Sequence, residues 1–153
     1  MLFSGAFDGT SATDRLNNAL NALTEGTIIF VEGTTYSTDT TIPKRRRLVR
    51  SGVWPLDSST VDAATWTINE GVLIDGISLT DTAEFVFSGA NSKYINSHNA
   101  GSATISVNSD FLIMTGVKNG NVTFASGTSS GVVDSCVSVS VTDNGSNTVG
   151  DIS

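Results

Sequence analysis

A repeat of about 20 residues in the second half of the chain most constrains what the chain can fold into. Two series of apolar residues recur there, with spacings of 21, 18 and 20 residues in the first and 20, 17 and 17 in the second. The first series is Ile74, Ile95, Ile113 and Val133, and the second is Phe87, Val107, Phe124 and Val141. Turn-forming pairs recur with them at Ser88-Gly89, Asn108-Ser109, Ser126-Gly127 and Asn144-Gly145. A few short strands and their turns fill about 20 residues per coil, and successive coils stack about 4.8 Å apart. The repeat therefore predicts an all-β fold, a single-stranded right-handed parallel β-helix.

An antiparallel sandwich or barrel is the alternative fold, because it also shows short strands, at intervals of about 8–12 residues. The repeat here has twice that interval and carries matching residue types, which favours the β-helix. Ser, Thr, Asn and Gly dominate the composition and only 15% of residues are charged, which disfavours a helical domain. We predict one domain over residues 1–153, with an N-terminal cap at 1–26 and coils at 27–153.

One segment, residues 13–23, has the pattern of a short α-helix. Four apolar residues share one face of it, at spacings i, i+3, i+4 and i+7: Leu16, Ala19, Leu20 and Leu23. Ser11 or Thr13 can cap its start, and Gly26 can end it. Three turns are marginal alone in water, so the apolar face is expected to cover another part of the protein.

The first fifty residues resemble the opening of pectate-lyase-like β-helices, a group that includes many phage tailspikes and tail fibres. The motifs are Gly5-Ala6-Phe7-Asp8-Gly9-Thr10, Thr13-Asp14, the segment from Gly26 to Tyr36, and the segment from Ile42-Pro43 through Leu48 to Gly52. The group's usual turn proline is absent from Val31-Glu32-Gly33, and its usual aspartate pair is reduced to Thr13-Asp14. The resemblance implies that the helix forms a lid on the N-terminal end of the β-helix, and that the protein is a parallel homotrimer. It does not fix the function, because the group contains lyases, hydrolases and inert structural proteins.

The acidic residues are poorly placed for glycoside hydrolysis, which generally needs two carboxylates about 5–9.5 Å apart. A column through Asp75, Asn96, Met114 and Asp134 has acids only at its ends, about 14 Å apart by the strand spacing. Asp81 and Glu84 lie in a turn-like segment and are interpreted as solvated turn residues.

Other catalytic residue types are also sparse beyond residue 66. Lys93 and Lys118 are the basic residues there, with no acidic cluster near either, as a lyase with calcium would need. The single histidine, His98, follows a strand and is interpreted as a surface or turn residue. The single cysteine, Cys136, alternates with strand residues and is interpreted as a packed side chain. We therefore predict no catalytic residue, no cofactor and no metal site.

The charged residues point to a protein partner. A net charge of −7 makes binding to nucleic acid or to an anionic membrane unfavourable. Five of the eight basic residues nevertheless fall in one run: Lys44, Arg45, Arg46, Arg47 and Arg50. If the run is one strand, Arg46 and Arg50 share a face with Leu48, and one face of a β-helix strand is its interior. Either the strand is irregular or an arginine is paired at a subunit interface. The run is a candidate for docking an acidic protein surface, with a solvated face as the alternative.

These observations favour a bacteriophage virion structural protein, a homotrimer made in the host cytoplasm and attached to other virion proteins of capsid or tail. A capsid decoration protein fits the small size and the start at residue 1, and a short tailspike or fibre fits the N-terminal motifs. The chain ends at Val149–Ser153 inside the repeat, so a partner subunit is expected to cover that end. The alternatives are a polysaccharide-degrading enzyme and a non-catalytic adhesin for a host surface glycan. Exposed aromatic residues would favour the adhesin, but Trp54 and Trp66 are the only tryptophans.

Overall fold

The chain forms a parallel β-helix of about six turns, which the computed structural model describes over residues 2–52 and 59–153. Every strand pairing in these residues is parallel, and the strands form three sheets along the molecule. Sheet A stacks eight strands, β1 (Leu2–Phe3), β2 (Ile28–Val31), β5 (Arg47–Arg50), β8 (Leu73–Asp75), β11 (Lys93–Ile95), β13 (Ile113–Thr115), β15 (Ser129–Asp134) and β17 (Ser146–Val149). Sheet B stacks three, β3 (Thr35–Tyr36), β6 (Thr60–Val61) and β9 (Ser78–Leu79). Sheet C stacks six, β4 (Thr40–Ile42), β7 (Thr65–Ile68), β10 (Glu84–Phe87), β12 (Thr104–Val107), β14 (Lys118–Phe124) and β16 (Val137–Asp143). The predicted fold class is confirmed.

The predicted helix is also confirmed, as α1 (Ala12–Ala22), after a 3₁₀ turn at Ser4–Ala6. Ser11 is its N-cap: Ser11 Oγ accepts a hydrogen bond from Asp14 N, and Asp14 Oδ2 accepts one from Ser11 N, both at 3.1 Å. Helix α1 lies against β3 and β4. Three residues of its apolar face, Leu16, Ala19 and Leu20, are at most 1% exposed, and Leu23 is partly buried against the same core. The helix therefore covers the interior of the first coil.

The core consists of stacked columns of apolar side chains, one position per coil. On sheet A the inward column is Ile29, Leu48, Ile74, Tyr94, Met114 and Val133. The predicted column was wrong at two places, because Ile95 and Ile113 point outward beside Tyr94 and Met114. On sheet C, Phe87, Val107 and Phe124 stack as predicted, but Val141 pairs with Val122 and not with Phe124. The two errors on sheet A arise because apolar residues are neighbours in sequence there, so that spacing alone does not show which one faces inward. The error at Val141 has another cause, since the partner of Phe124 lies 19 residues later, at Asp143, and not 17.

Residues in the left-handed conformation form the corners of each coil. The corner before sheet A stacks five such residues with φ between 55° and 70°: Arg45, Gly71, Asn91, Phe111 and Ser130. The corner after sheet A stacks Gly76, Asn96, Gly116 and Ser135, with φ between 53° and 77°. Most of these residues are not glycine. Each non-glycine residue is strained in this conformation, and the packing of the stacked coils must offset that cost. A left-handed residue also breaks the in-out alternation of a strand.

A buried asparagine joins three coils through hydrogen bonds. Asn99 is only 2% exposed. Its Oδ1 accepts hydrogen bonds from Leu79 N at 2.9 Å and from Tyr94 Oη at 2.6 Å. Its Nδ2 donates to Asn119 O at 3.2 Å, and Asn119 Nδ2 donates back to Asn99 O at 2.9 Å. Every polar atom of the Asn99 amide group is thereby paired inside the protein, as burial requires.

Candidate interaction surfaces

The basic run does not form one continuous strand. Strand β5 begins only at Arg47, because Arg45 adopts φ 55° and lies at the corner before sheet A. Leu48 is fully buried, whereas Arg46 and Arg50 are half-buried at the two ends of the segment. The segment is thus irregular, and no arginine of this run enters the core, while pairing of an arginine at a subunit interface stays a prediction.

The five cations of the run have separate environments. Lys44 is exposed in a turn, and Arg45 Nη1 lies 3.4 Å from Glu25 Oε2. Arg46 donates from Nε and Nη2 to the Leu20 carbonyl at 3.3 and 3.1 Å, which pairs an end group of helix α1. Arg47 lies on the outer face of sheet A, and Arg50 lies at the corner after it. The run does not make a single basic patch.

The outer face of sheet A is apolar, which the sequence prediction did not identify. Seven of the outward residues on β2 to β15 are aliphatic or aromatic: Ile28, Phe30, Val49, Leu73, Ile95, Ile113 and Val132. The outward residues of sheet C are polar except for Val86 and for Val137, which starts β16; the polar ones are Thr41, Thr65, Thr67, Glu84, Thr104, Ser106, Asn121, Thr123, Ser140 and Thr142. Sheet A thus differs from sheet C in carrying a mainly apolar outer face, and large exposed apolar patches are typical of interaction surfaces. One inward column needs only one apolar residue per strand at that position, but the strands of sheet A carry more, as in the adjacent pair Tyr94-Ile95. This excess of apolar residues was the signal in the sequence.

The charges on this outer face are separated by sign. Strand register places Arg47 and Lys93 in one outward column, together with Leu73 and Ile113. The adjacent outward column contains Asp75 and Asp134. Within residues 2–52 and 59–153 the ion pairs closer than 4.0 Å are Arg15–Glu32 and Arg45–Glu25. None of the four charges on the outer face therefore has an ionic partner at that distance in the described part of the chain.

Phe111 adds a strained, exposed aromatic residue at the edge of this face. It adopts φ 58° and is 50% exposed. The left-handed conformation costs a residue with a side chain about 1–2 kcal/mol, and this bulky side chain regains little of that through burial. Phe111, Lys93, Ile113 and Val132 line a groove of about 230 Å³. An exposed aromatic residue held in a strained conformation is a feature of binding surfaces.

Asp75 and Asp134 do not form a glycosidase pair. Asp75 and Asp134 share a column three coils apart, as predicted, but the residues between them are Ile95 and Thr115 and not Asn96 and Met114. Three strand spacings separate them by about 14 Å, beyond either hydrolytic geometry.

Asp81 and Glu84 have structural partners. Asp81 Oδ1 accepts a hydrogen bond from Ser102 N at 2.7 Å. Glu84 is the first residue of β10 and not part of a turn, and its Oε1 accepts from Ser106 Oγ. Both carboxylates thus link one coil to the next.

Cys136 is 1% exposed and lies in an interior position. Burial raises the pKa of the Cys136 thiol, which keeps it protonated near neutral pH and a poor nucleophile.

A second groove follows the corner after sheet A. It has a volume of about 340 Å³, and its lining includes Arg50, Ser78, Asn96, His98 and Lys118. His98 lies outside strand β11 and forms a single parallel bridge with Lys118 on the next coil. The groove thus brings Arg50, the last residue of the basic run, close to His98 and Lys118.

Three further expectations concern metals, membranes and aromatic residues. Across residues 2–52 and 59–153, no three His, Cys, Asp or Glu side chains are grouped in a way that could hold a metal ion. No helix in the same ranges is both long and apolar enough to cross a membrane. Trp66 is fully buried in the core and cannot contact a glycan, and Trp54 lies outside the described residues.

No family model matches the chain, and neither a curated protein nor a solved structure shows significant similarity to it.

Proposed function

We propose that the protein is a non-catalytic structural component of a bacteriophage particle surface, where it assembles as a homotrimer through the outer face of sheet A. The observation that carries the proposal is the apolar outer face, which contrasts with the polar outer face of sheet C. The resemblance of the first fifty residues to the N-terminal region of phage β-helices supports the location on a particle. Asp81 and Glu84, which link coils, and Asp75 and Asp134, which lie too far apart, support a role without catalysis.

The charge columns support a second copy of the same chain as the partner. When two copies are related by an axis parallel to the β-helix, the outward column of one copy faces the adjacent column of the other. Equivalent coils are then level, so Asp75 of the neighbour lies one coil, about 4.8 Å along the axis, from the levels of Arg47 and Lys93, and Asp134 lies two coils from the level of Lys93. When the copies are antiparallel, each column faces its own equivalent, and cations meet cations. Opposed charges favour the parallel arrangement, since like charges across an interface cost several kcal/mol.

Phe111 and the apolar column support the same partner. Burial of Ile113, which is 38% exposed, and of Phe111 against a neighbour would stabilise the assembly by about 25 cal/mol for each Å² of apolar surface removed from water. Burial of the Phe111 side chain in the assembly would then offset its backbone strain, which the single chain does not do.

Light scattering of the purified chain tests the assembly. We expect a mass of about three times the 15.9 kDa of one chain. Ile113→Asp should reduce the mass to that of a monomer, because it places a charge in the apolar interface. The matched control is Thr123→Asp, also an exposed strand residue but on the outer face of sheet C, which should leave the trimer intact. A monomeric parent protein, or equal loss of mass in both variants, would contradict the assembly.

Mass spectrometry and antibody labelling of purified particles test the location. We expect the protein at a fixed copy number per particle, with the label on the capsid for a decoration protein or on the tail for a short spike or fibre. If the protein is absent from purified particles, the proposed virion role is refuted, whereas the proposed trimer is not affected.

The polysaccharide-degrading alternative is tested by mixing the purified protein with host surface glycan. We expect no release of reducing ends or of unsaturated products. Alanine at Asp75, Asp81, Glu84 and Asp134 together should then change nothing in any glycan-degrading activity of the particles. Activity that disappears in this variant while the fold remains intact would show that the protein is an enzyme.

A further inference from the structure

We infer that the groove along the corner after sheet A is a binding site for a multivalent anion, a molecule that carries two or more phosphate, sulfate or carboxylate groups. Its cationic and N–H donor residues lie outside the outward columns of sheet A that form the proposed trimer surface, and Asp75 of that surface adjoins it. It is defined by Arg50, His98 and Lys118, with Ser78 and Asn96 between them. We call it the corner groove.

The glycines of the corner give the groove its floor. Gly76 and Gly116 both line it, and both have positive φ. Arg50 lies directly over Gly76, where a methyl group would come within 2.6 Å of Arg50 Cδ. The Arg50 side chain therefore extends from its own coil across the next one. A side chain at Gly76 would push it out of the groove.

This placement puts three side chains with cationic or N–H donor groups on successive coils. Arg50 extends over the coil of Gly76, His98 is on the coil after it, and Lys118 pairs with His98 from the coil beyond. Successive coils are about 4.8 Å apart, so the groups span about 10 Å along the groove. A single small anion contacts only one or two of them, whereas a chain of anionic groups contacts all three.

The local charge favours an anion although the whole chain carries −7. In the described part of the chain, no carboxylate lies within 4.0 Å of Arg50 or of Lys118. Asp75 adjoins the groove, and its Oδ1 accepts a hydrogen bond from Asn96 Nδ2 at 3.0 Å. Ser78 Oγ accepts from His98 N at 3.3 Å, which leaves its hydroxyl hydrogen to donate to a ligand. Guanidinium and ammonium groups form the strongest hydrogen bonds to phosphate and carboxylate oxygens.

Calorimetric titration of the full chain tests the corner groove at constant ionic strength. The probes are tripolyphosphate, orthophosphate, sucrose octasulfate and citrate. We expect saturable binding of tripolyphosphate at least about tenfold tighter than that of orthophosphate, because it reaches more than one coil. Comparison of tripolyphosphate with the sulfate and carboxylate probes identifies which anionic group the groove prefers.

Two double variants with the same change in net charge provide the decisive comparison. Arg50→Gln with Lys118→Gln should weaken tripolyphosphate binding at least about tenfold, as loss of charge-assisted hydrogen bonds does. Lys44→Gln with Arg45→Gln removes the same two charges elsewhere and should change it less than about twofold. Lys118→Gln alone, at an exposed position, gives a variant whose fold is not at risk. Equal weakening in both double variants, or no saturable binding in the parent, would overturn the site.

Discussion

Replacement of Leu16 or Leu20 by aspartate tests whether helix α1 holds the first coil closed. Both side chains are at most 1% exposed, and with Ala19 they make the fully buried part of the helix face. A charged carboxylate cannot stay in that position without a partner, so the helix must leave the coil. The apolar interior of the first coil is then exposed to water.

The size of the effect follows from the burial. Each leucine contributes about 1.5–3 kcal/mol through burial of its side chain, and the Ala19 methyl adds about 0.8 kcal/mol. Detachment of the helix therefore costs about 4–7 kcal/mol. For a chain of this length that corresponds to a fall in melting temperature of roughly 10–20 °C. Since either substitution already releases the helix, the double variant should cost little more than each single one.

Circular dichroism during thermal and urea unfolding measures these changes, and hydrogen exchange of the α1 amides shows whether the helix detaches first. Asn21→Asp, on the exposed side of the same helix, is the matched control and should cost at most about 1 kcal/mol. Unchanged melting temperatures in both leucine variants would refute the lid. A double variant that costs twice each single variant would refute its release as one unit.

Three other variants test contacts that join the helix and the coils. The hydrogen bonds of Arg15 hold the pKa of Glu32 below its ordinary 4.5, so this contact stabilises the fold above that pH and is lost as pH falls through the lower folded pKa. Glu32→Gln should therefore flatten the fall in melting temperature below about pH 4.5. An unchanged dependence of the melting temperature on acid pH would contradict this contact. Asn99→Ala should cost about 2–4 kcal/mol in urea unfolding because it leaves buried donors and acceptors unpaired, whereas the exposed Asn121→Ala should cost under about 0.5 kcal/mol; similar costs would contradict the network. Arg46→Gln should cost about 1 kcal/mol and speed hydrogen exchange at the end of helix α1, since it removes two donors from the helix carbonyl; unchanged exchange would contradict it.

The helix and the parallel coils could be predicted because each rests on a local pattern. Leu16, Ala19 and Leu20 show helical spacing beside a capping serine, and the repeat shows that equivalent residues return about every 20 positions. The register could not be predicted at Ile95 and Ile113, where two apolar residues are adjacent and only the pairing of neighbouring coils decides which faces inward.

The candidate surfaces were less predictable, because both depend on backbone conformation at the corners. The left-handed residue Arg45 ends the extended pattern of the basic run, so that β5 contains only Arg47 to Arg50. The corner groove depends on Gly76, 26 positions after Arg50 in the chain, to give that side chain its path. A contact between residues so far apart has no signal in a single sequence.

The pairing of each strand with the strands of the neighbouring coils makes the molecule a one-dimensional array. Described pairings join equivalent residues of successive coils, such as Glu84 with Thr104 and Thr104 with Asn121. Stability in such an array is close to a sum over neighbouring units, so damage in one coil weakens the two coils beside it more than those farther away. Unfolding should accordingly begin at an end or at a weakened coil and proceed along the axis. The same property allows a whole coil, such as residues 84–103, to be gained or lost in evolution without a new core, so that the length of the protein can change in steps of about 4.8 Å.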